Sequence, residues 1–206
     1  MQKMFITLFA ATLTFVWAHS SPILAQDATA KGFMGGLNIA NFYGPDAEMD
    51  NIAPSPRMGF TAGAFLVYGF IGNIGIRVEI LYSQKGAEYE SRDEKLTFSF
   101  NYLEIPSLFQ FSIPTEGAIT PILFIGPTLG IKLSAKAKAE PEGESEEEDV
   151  EDMARTDFGI IFGAGIFVFD RFDISIRYNL GLSRIFYEEY VDKKNRVVSI
   201  MAGIHL

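Results

Sequence analysis

The sequence predicts an all-β fold, an eight-stranded antiparallel up-and-down barrel that crosses a membrane with its strands. The first observation is residues 74–83, IGIRVEILYS, in which apolar residues occupy every second position. Successive side chains of a strand point to opposite faces, so this segment has one apolar and one polar face. Seven segments after residue 30 share the pattern, and an eighth, 96–113, keeps it around a change of phase.

The second observation is the alternating length of the connections between the predicted strands. The strands are predicted at 32–41, 58–69, 73–84, 96–113, 118–134, 155–168, 171–184 and 196–206. The connections 69–73, 113–117 and 169–171 are short, whereas 42–57, 84–95, 135–154 and 185–195 are long and polar. Short periplasmic turns and long external loops are typical of outer-membrane barrels, and we therefore expect both termini in the periplasm.

The third observation is the N-terminal segment, which predicts a secretory signal peptide over residues 1–25. Lys3 gives a short positive region, residues 4–18 are apolar, and Ala25 ends a cleavage pattern. The apolar run of about 15 residues is shorter than the ~20 of a spanning helix. Residues 26–206 are then expected to form one barrel domain.

A soluble barrel with an apolar interior would alternate in the same way. Its outer face would be rich in Lys and Glu, whereas the polar faces here carry mainly small residues, among them Gly35, Gly63, Gly75, Ser83 and Ser175. Small residues with few charges favour a crowded lumen and an apolar face toward lipid.

Two predicted strands are irregular. Around 96–113 the apolar positions change parity, which predicts a bulge near Asn101 or an irregularity at Pro106. Pro121 and Pro127 lie inside another predicted strand, where we expect bulges or missing ladder hydrogen bonds.

Several segments together resemble the PorT-like outer-membrane β-barrel family, porin-family small barrels of double-membraned bacteria. They are GLNIAN at 36–41, GFTAG at 59–63, EILYSQKGA at 79–87, YLEIP at 102–106, GPTLG at 126–130, DFG at 157–159 and RY at 177–178. The resemblance covers the whole mature chain and implies an eight-stranded barrel; some members are linked to protein secretion. Leu206 departs from it, because such proteins usually end in Phe.

Both signs of charge occur at positions predicted to face the lumen. These positions are Arg77, Glu79, Glu104, Lys132, Asp157, Asp173 and Arg177. An eight-stranded barrel is just wide enough to be filled by side chains, and buried charges must pair. We expect a structural ion-pair network there, with a selective ion path as the alternative.

The run from Glu140 to Asp152 holds nine carboxylates and no base, which accounts for the whole net charge of −9. Like charges at this density predict a disordered external loop. A weak divalent-cation site at Glu146, Glu147, Glu148 and Asp149 is the functional alternative.

The sequence contains few candidate catalytic residues, so we expect that the protein is not an enzyme and binds no cofactor. There is no cysteine, His19 lies in the signal peptide, and His205 lies at the predicted periplasmic end. An external Ser-His or Asp-His arrangement therefore cannot be built. The acidic loop and neutral remainder argue against nucleic-acid binding.

The sequence therefore predicts a structural or interaction barrel of the outer membrane. Expected partners are outer-membrane lipids, the barrel-assembly machinery during insertion, and an envelope or secretion protein. A narrow pore for small solutes is the second hypothesis, and an outer-membrane enzyme is the third.

Overall fold

The computed structural model describes residues 30–91, 94–141, 146–150, 153–169, 171–186 and 191–206. The predicted signal peptide lies outside these residues. The strands are β1 (Ala30–Tyr43), β2 (Ser55–Ile71), β3 (Ile74–Glu90), β4 (Glu94–Ser112), β5 (Ile119–Pro141), β6 (Glu146–Asp149), β7 (Thr156–Val168), β8 (Phe172–Gly181) and β9 (Lys194–His205). No helix in these ranges is long and apolar enough to cross a membrane.

The strands form one closed antiparallel ring. The hydrogen-bonded order is β4-β3-β2-β1-β9-β8-β7-β5, and a further β4–β5 pairing closes it. The short strand β6 pairs with Lys136–Ala139 of β5, on the side that β7 occupies further along at Ile119–Ile131. The ring therefore has eight positions, as predicted. We call its two ends the turn end, with the short connections, and the loop end, with the long ones.

β3 and β5 extend furthest beyond their predicted bounds at the loop end. β3 continues to Glu90 and β4 begins at Glu94, so most of the predicted loop 84–95 is an extended hairpin. β5 continues to Pro141 and pairs with β6, so part of the predicted connection 135–154 is strand, and the prediction of disorder for Glu140 to Asp152 is wrong for 140–141 and 146–149. The segments 142–145 and 151–152 lie outside the described residues.

The outward face changes polarity along these long strands. On β3 the outward face is apolar at every second position from Ile74 to Tyr82. It then carries Gln84, Gly86, Glu88 and Glu90. On β5, Ile131 and Leu133 are exposed, and Lys136 and Glu140 follow them toward the loop end. A band of exposed apolar side chains thus surrounds the turn-end half of the barrel, and polar side chains cover the loop-end half.

The predicted irregularities have a different origin from the one expected. In β4 the buried positions keep one parity from Phe100 through Tyr102 and Glu104 to Leu108, so β4 has no change of phase. The register shift opposite Asn101 confirms a bulge at this level, but the extra residue is Leu133 of β5. A bulge inserts one extra residue into one strand of a pair and bends that strand locally.

Pro127 coincides with a local gap in the ladder. The β4–β5 pairing passes from Pro106–Thr128 directly to Phe109–Ile125 without a change of register. Proline cannot donate a ladder hydrogen bond, which explains the gap. The β5–β7 pairing stays regular through both Pro121 and Pro127, so the bulges expected there are not found.

Candidate functional site in the barrel lumen

The lumen of the turn-end half holds an ion-pair cluster centred on Glu79. The carboxylate accepts Arg77 Nε at 2.6 Å on Oε1 and Arg177 Nη1 at 2.7 Å on Oε2. Arg77 and Glu79 share the inward face of β3 because they are two positions apart, and Arg177 reaches them from β8. All three side chains are buried, and each oxygen of Glu79 has its own arginine.

Asp173 extends this cluster toward the turn end. Its Oδ2 lies 3.5 Å from Arg77 Nη2 and 2.9 Å from His205 Nε2. The imidazole of His205 lies between two phenyl rings, 4.8 Å from Phe65 and 4.4 Å from Phe167 between ring centroids. These rings and the imidazole fill the lumen where the barrel meets its short turns.

Aromatic rings also cover both arginines of the cluster. Arg77 Cζ lies 3.9 Å from the centroid of Phe65, and Arg177 Cζ lies 4.9 Å from that of Phe124. A guanidinium over a ring face is attracted by the ring quadrupole, and more strongly where water is excluded. Gly163 makes this packing fit, since a Cβ there would lie 3.0 Å from Arg177 Cγ and 3.3 Å from Phe124.

A second ion-pair cluster surrounds Lys85, closer to the loop end. The ammonium lies 2.7 Å from Glu104 Oε1 and 3.0 Å from Asp157 Oδ2. Asn179 donates to Glu104 at 3.2 Å, and Asn195 donates to Asp157 at 2.9 Å. One ammonium thus faces two carboxylates, and these amides and the hydroxyl of Ser183 donate further hydrogen bonds to them.

Beyond Lys85 the lumen becomes apolar, forming what we call the apolar cap. Its buried members are Phe42, Ala87, Tyr89, Phe100, Tyr102, Ala135, Met153 and Ile185. The rings of Phe42 and Phe100 stack at 5.6 Å, and Tyr89 meets Phe98 edge-on at 5.9 Å. Residues of the loops, among them Met49, Ile52 and Phe186, pack against this cluster and cover it.

Tyr89 ties the loop between β1 and β2 to the apolar cap. Its hydroxyl donates to the carbonyl oxygen of Ala47 at 2.6 Å. Burial raises the pKa of Tyr89 to about 12, so the phenol remains a donor throughout the physiological range. This hydrogen bond satisfies a polar group inside an otherwise apolar cluster.

The predicted lumen residues are therefore mostly, but not all, brought together. Arg77, Glu79, Asp173 and Arg177 meet in one cluster, and Glu104 and Asp157 meet in the other. Lys132 keeps the predicted inward position, as the register partner of buried Tyr102, but it joins neither cluster: its partly buried ammonium donates to the Met153 carbonyl at 2.9 Å.

Lys85 and His205 are the residues that the sequence prediction missed. Lys85 keeps the inward parity of Arg77, Glu79 and Ser83, which would have identified it, but β3 was expected to end at residue 84. His205 was placed correctly at the turn end, but its contact with Asp173 joins the last strand to β8 and has no local sequence signal.

The acidic residues proposed as a weak cation site lie on β6. Glu147 accepts a hydrogen bond from Lys136, which lowers the pKa of Glu147. Glu146, Glu148 and Asp149 are exposed along the same short strand. Within the described part of the chain, no three His, Asp or Glu side chains are close enough together to hold a metal ion.

Sequence comparison places the chain in a known family. Residues 24–187 match the outer membrane protein beta-barrel domain, and the chain belongs to this family. It is an outer-membrane β-barrel, so the band of exposed apolar side chains faces lipid and the ion-pair clusters lie in its lumen.

The fold is also similar to solved barrels. The attachment invasion locus protein Ail of Yersinia pestis is 17% identical, with a TM-score of 0.44 over 86% of this chain and 98% of that one. Neisserial surface protein A is 13% identical, with a TM-score of 0.45 over 85% and 96%. The outer membrane enzyme PagL is 10% identical, with a TM-score of 0.48 over 84% and 98%. No match was found among curated proteins.

Proposed function

We propose that the protein is a non-enzymatic outer-membrane barrel that anchors its loop-end hairpins outside the cell for contact with an envelope or secretion protein. The observation that supports this is the filling of the lumen along its length. His205 and Phe65 occupy the turn end, the Glu79 and Lys85 clusters follow, and the apolar cap occupies the loop end. A barrel with a filled lumen is suited to anchoring its loop-end hairpins rigidly for contact with a partner.

The proposed orientation places the short turns in the periplasm and the long connections outside, as is usual for such barrels. Protease added to intact cells should then cut the β5–β6 hairpin while leaving the lipid-facing strands protected, because exposed chain tips are preferred cleavage sites. Cleavage that required rupture of the outer membrane would reverse the orientation.

The candidate contact surface is the part of β3, β4, β5 and β6 beyond the apolar band. These strands extend further toward the loop end than the other strands do. They carry paired charges, such as Lys95 with Glu88 at 2.8 Å. The resemblance to PorT-like proteins supports a partner in envelope assembly or secretion.

Pulldown from gently solubilised envelopes tests the contact surface. The natural chain should be compared with a variant in which Lys136 to Asp149 are replaced by a short Gly-Ser turn. The replacement removes the β4–β5 pairs from Ser99–Lys136 to Glu94–Pro141 but leaves those from Phe100–Ala135 to Ser112–Ile122, so the barrel should still form. A partner retained equally by both chains would contradict a role for this hairpin.

The pore hypothesis differs in one measurable property. Planar-bilayer recordings of the natural chain should show no stable openings, since Arg77 and Phe100 are buried in a filled lumen. Regular single-channel steps that changed size in Arg177→Met would place a pore ahead of the structural role.

The proposal that the barrel is not an enzyme is supported by the surroundings of His205. Its Nε2 faces Asp173 and its ring is enclosed by Phe65 and Phe167 at the turn end. Substrates of the outer leaflet would meet the opposite end of the barrel. Turnover of added phospholipid or lipopolysaccharide by the purified barrel would contradict the proposal.

A further inference from the structure

The outward face of β9 changes from apolar to cationic within two positions. Ile200 and Val198 are exposed at 50% and 38% on the lipid-facing side. Arg196 and Lys194 follow on the same face, because outward positions of a strand recur every second residue. The cationic positions therefore begin where the exposed apolar column ends.

Arg184, in the loop after β8, lies beside this cationic edge. Asp192 is 3.1 Å from Lys194 Nζ and 3.7 Å from Arg184 Nε, so one carboxylate faces two cations. Arg196 is exposed, and its side chain has no ion pair within the described ranges. Asp46 accepts the backbone N–H of Asp192 on Oδ2 at 2.7 Å, so two carboxylates face three cations, and this described surface keeps an excess of one positive charge, with Arg196 outside the ion pairs.

Two tyrosines flank the same edge. Tyr178 is 39% exposed on the outward face of β8 and pairs with Val198. Tyr43 pairs with Lys194 in the β1–β9 ladder, and its hydroxyl donates to the carbonyl of Gly181 across β9. Tyrosines are enriched at the level of lipid headgroups, so they mark the height of the membrane surface here.

The other side of the barrel differs at the corresponding level. The first outward polar residues beyond the apolar band on β3, β4 and β5 are Gln84, Asn101 and Ser134, all uncharged. Lys136, further out on β5, is hydrogen-bonded to Glu147. The cations next to the apolar band on β9 are therefore not explained by a general requirement for polar residues at this height.

We propose that Arg196, Lys194 and Arg184 form a binding site for the phosphate of an anionic lipid in the leaflet at the loop end. The acyl chains would lie against Val198, Ile200 and Ile176, and the phosphate would reach the guanidinium of Arg196. The planar fork of arginine matches phosphate oxygens, and desolvation at the membrane surface strengthens the attraction. This site is independent of the proposed partner contact at β3–β6.

Spin-labelled lipids measure this binding in the intact barrel. The protein is placed in phosphatidylcholine nanodiscs, and the motionally restricted fraction of labelled phosphatidylglycerol is compared with that of labelled phosphatidylcholine. The natural chain should prefer phosphatidylglycerol. Arg196→Gln should weaken that preference about fivefold, as expected for one cation at a membrane surface.

Two matched variants make the outcome specific. Lys95→Gln removes the same charge from a hairpin beyond the lipid and should leave the preference unchanged, and Arg196→Lys should retain most of it. An equal preference in the natural chain and in Arg196→Gln/Lys194→Gln would overturn the proposal. So would complete competition by inorganic phosphate, which would show a site for free phosphate instead of a lipid headgroup.

Discussion

Two halves of β4 show that the interior of this barrel combines ion pairs with apolar side chains toward the turn end and is mainly apolar toward the loop end. On the turn side of Tyr102, the inward face carries Glu104 and the outward face carries Phe109, which is 51% exposed. On the loop side, the inward face carries Phe98 and Phe100, and the outward face carries Ser99 and Thr97. The strand keeps one parity throughout, so the reversal lies in its surroundings and not in its backbone.

The comparison shows how one strand can satisfy two solvents. Within the membrane, lipid favours apolar side chains outside, and polar groups are tolerated inside only where they are paired. Beyond the membrane, water surrounds the barrel and the ordinary hydrophobic effect favours an apolar interior. The Lys85 cluster lies between these two regimes, at the level where Tyr82 gives way to Gln84 on the outward face.

Arg77→Met is the strongest test of the charged half. The change leaves Glu79 with one arginine and Asp173 with His205, and both carboxylates are buried. Breaking a buried ion pair in this way should cost ~3–5 kcal/mol of unfolding free energy, measured by urea unfolding in lipid vesicles.

A double-mutant cycle checks that this cost arises from pairing. Combining Arg177→Met with Glu79→Gln should recover much of the loss caused by Arg177→Met alone, because the stranded carboxylate is neutralised. Lys95→Met, whose partner Glu88 lies on the exposed face, should cost no more than ~1 kcal/mol. Independent effects of Arg177 and Glu79 would rule out the network.

Phe100→Ala tests the apolar half against a matched residue on the same strand. Phe100 is fully buried in the apolar cap, so its removal should leave a cavity and cost ~3–4 kcal/mol. Phe109→Ala removes the same ring from the lipid-facing side, where lipid chains can fill the space. Equal losses for the two variants, measured by the same unfolding assay, would contradict the reversal of polarity within β4.

Ile80→Arg and Gln84→Arg place the same charge on the two parts of the outward face of β3. Ile80 is 57% exposed within the apolar band, so a charge there should destabilise the barrel by ~2–4 kcal/mol. Gln84 lies beyond Tyr82, where arginine should be nearly neutral. If both variants unfolded like the natural chain in lipid vesicles, the band would not be the membrane-facing surface.

The same two halves explain which features could be read from the sequence. The crossing parts of β3, β8 and β9 were predicted because apolar and polar residues contrast strongly there, as in Ile174, Ser175, Ile176 and Arg177. Beyond Tyr82 the contrast reverses, and β3 was therefore predicted to end six residues before Glu90. The parity change around Asn101 was interpreted as a bulge in β4, because a single environment was assumed for the whole strand.

The lumen was predictable in composition but less so in pairing. Inward parity identified Arg77, Glu79, Asp173 and Arg177 without any knowledge of the fold. The parity of a residue tells which face of the sheet it lies on, but not its level along the barrel axis. The pairing of Arg177 with Glu79 could therefore be found only from the register of the strands. The ion pair of Lys136 with Glu147 between β5 and β6, and that of Lys138 with Glu140 within β5, were missed because repulsion among carboxylates was considered without these lysines.

The β5–β6 hairpin is the part of the loop-end half that we expect to be least stable. Lowering the pH should destabilise it while leaving the membrane-crossing strands intact. The hydrogen bond from Lys136 lowers the pKa of Glu147 below its ordinary value of 4.5. A lowered carboxyl pKa stabilises the folded hairpin above that ordinary value, and the contribution is lost as pH falls through the lowered pKa. Amide exchange of β6, corrected for intrinsic rates, should therefore accelerate a few-fold between pH 5 and pH 3, whereas the β8–β9 rungs, such as Ile176–Ile200, should keep their protection.

Lys136→Gln should remove most of this pH dependence. Identical pH dependence in Lys136→Gln and the natural chain would show that other carboxylates hold the hairpin, because both side chains of this pair are exposed to water and exposed pairs contribute little.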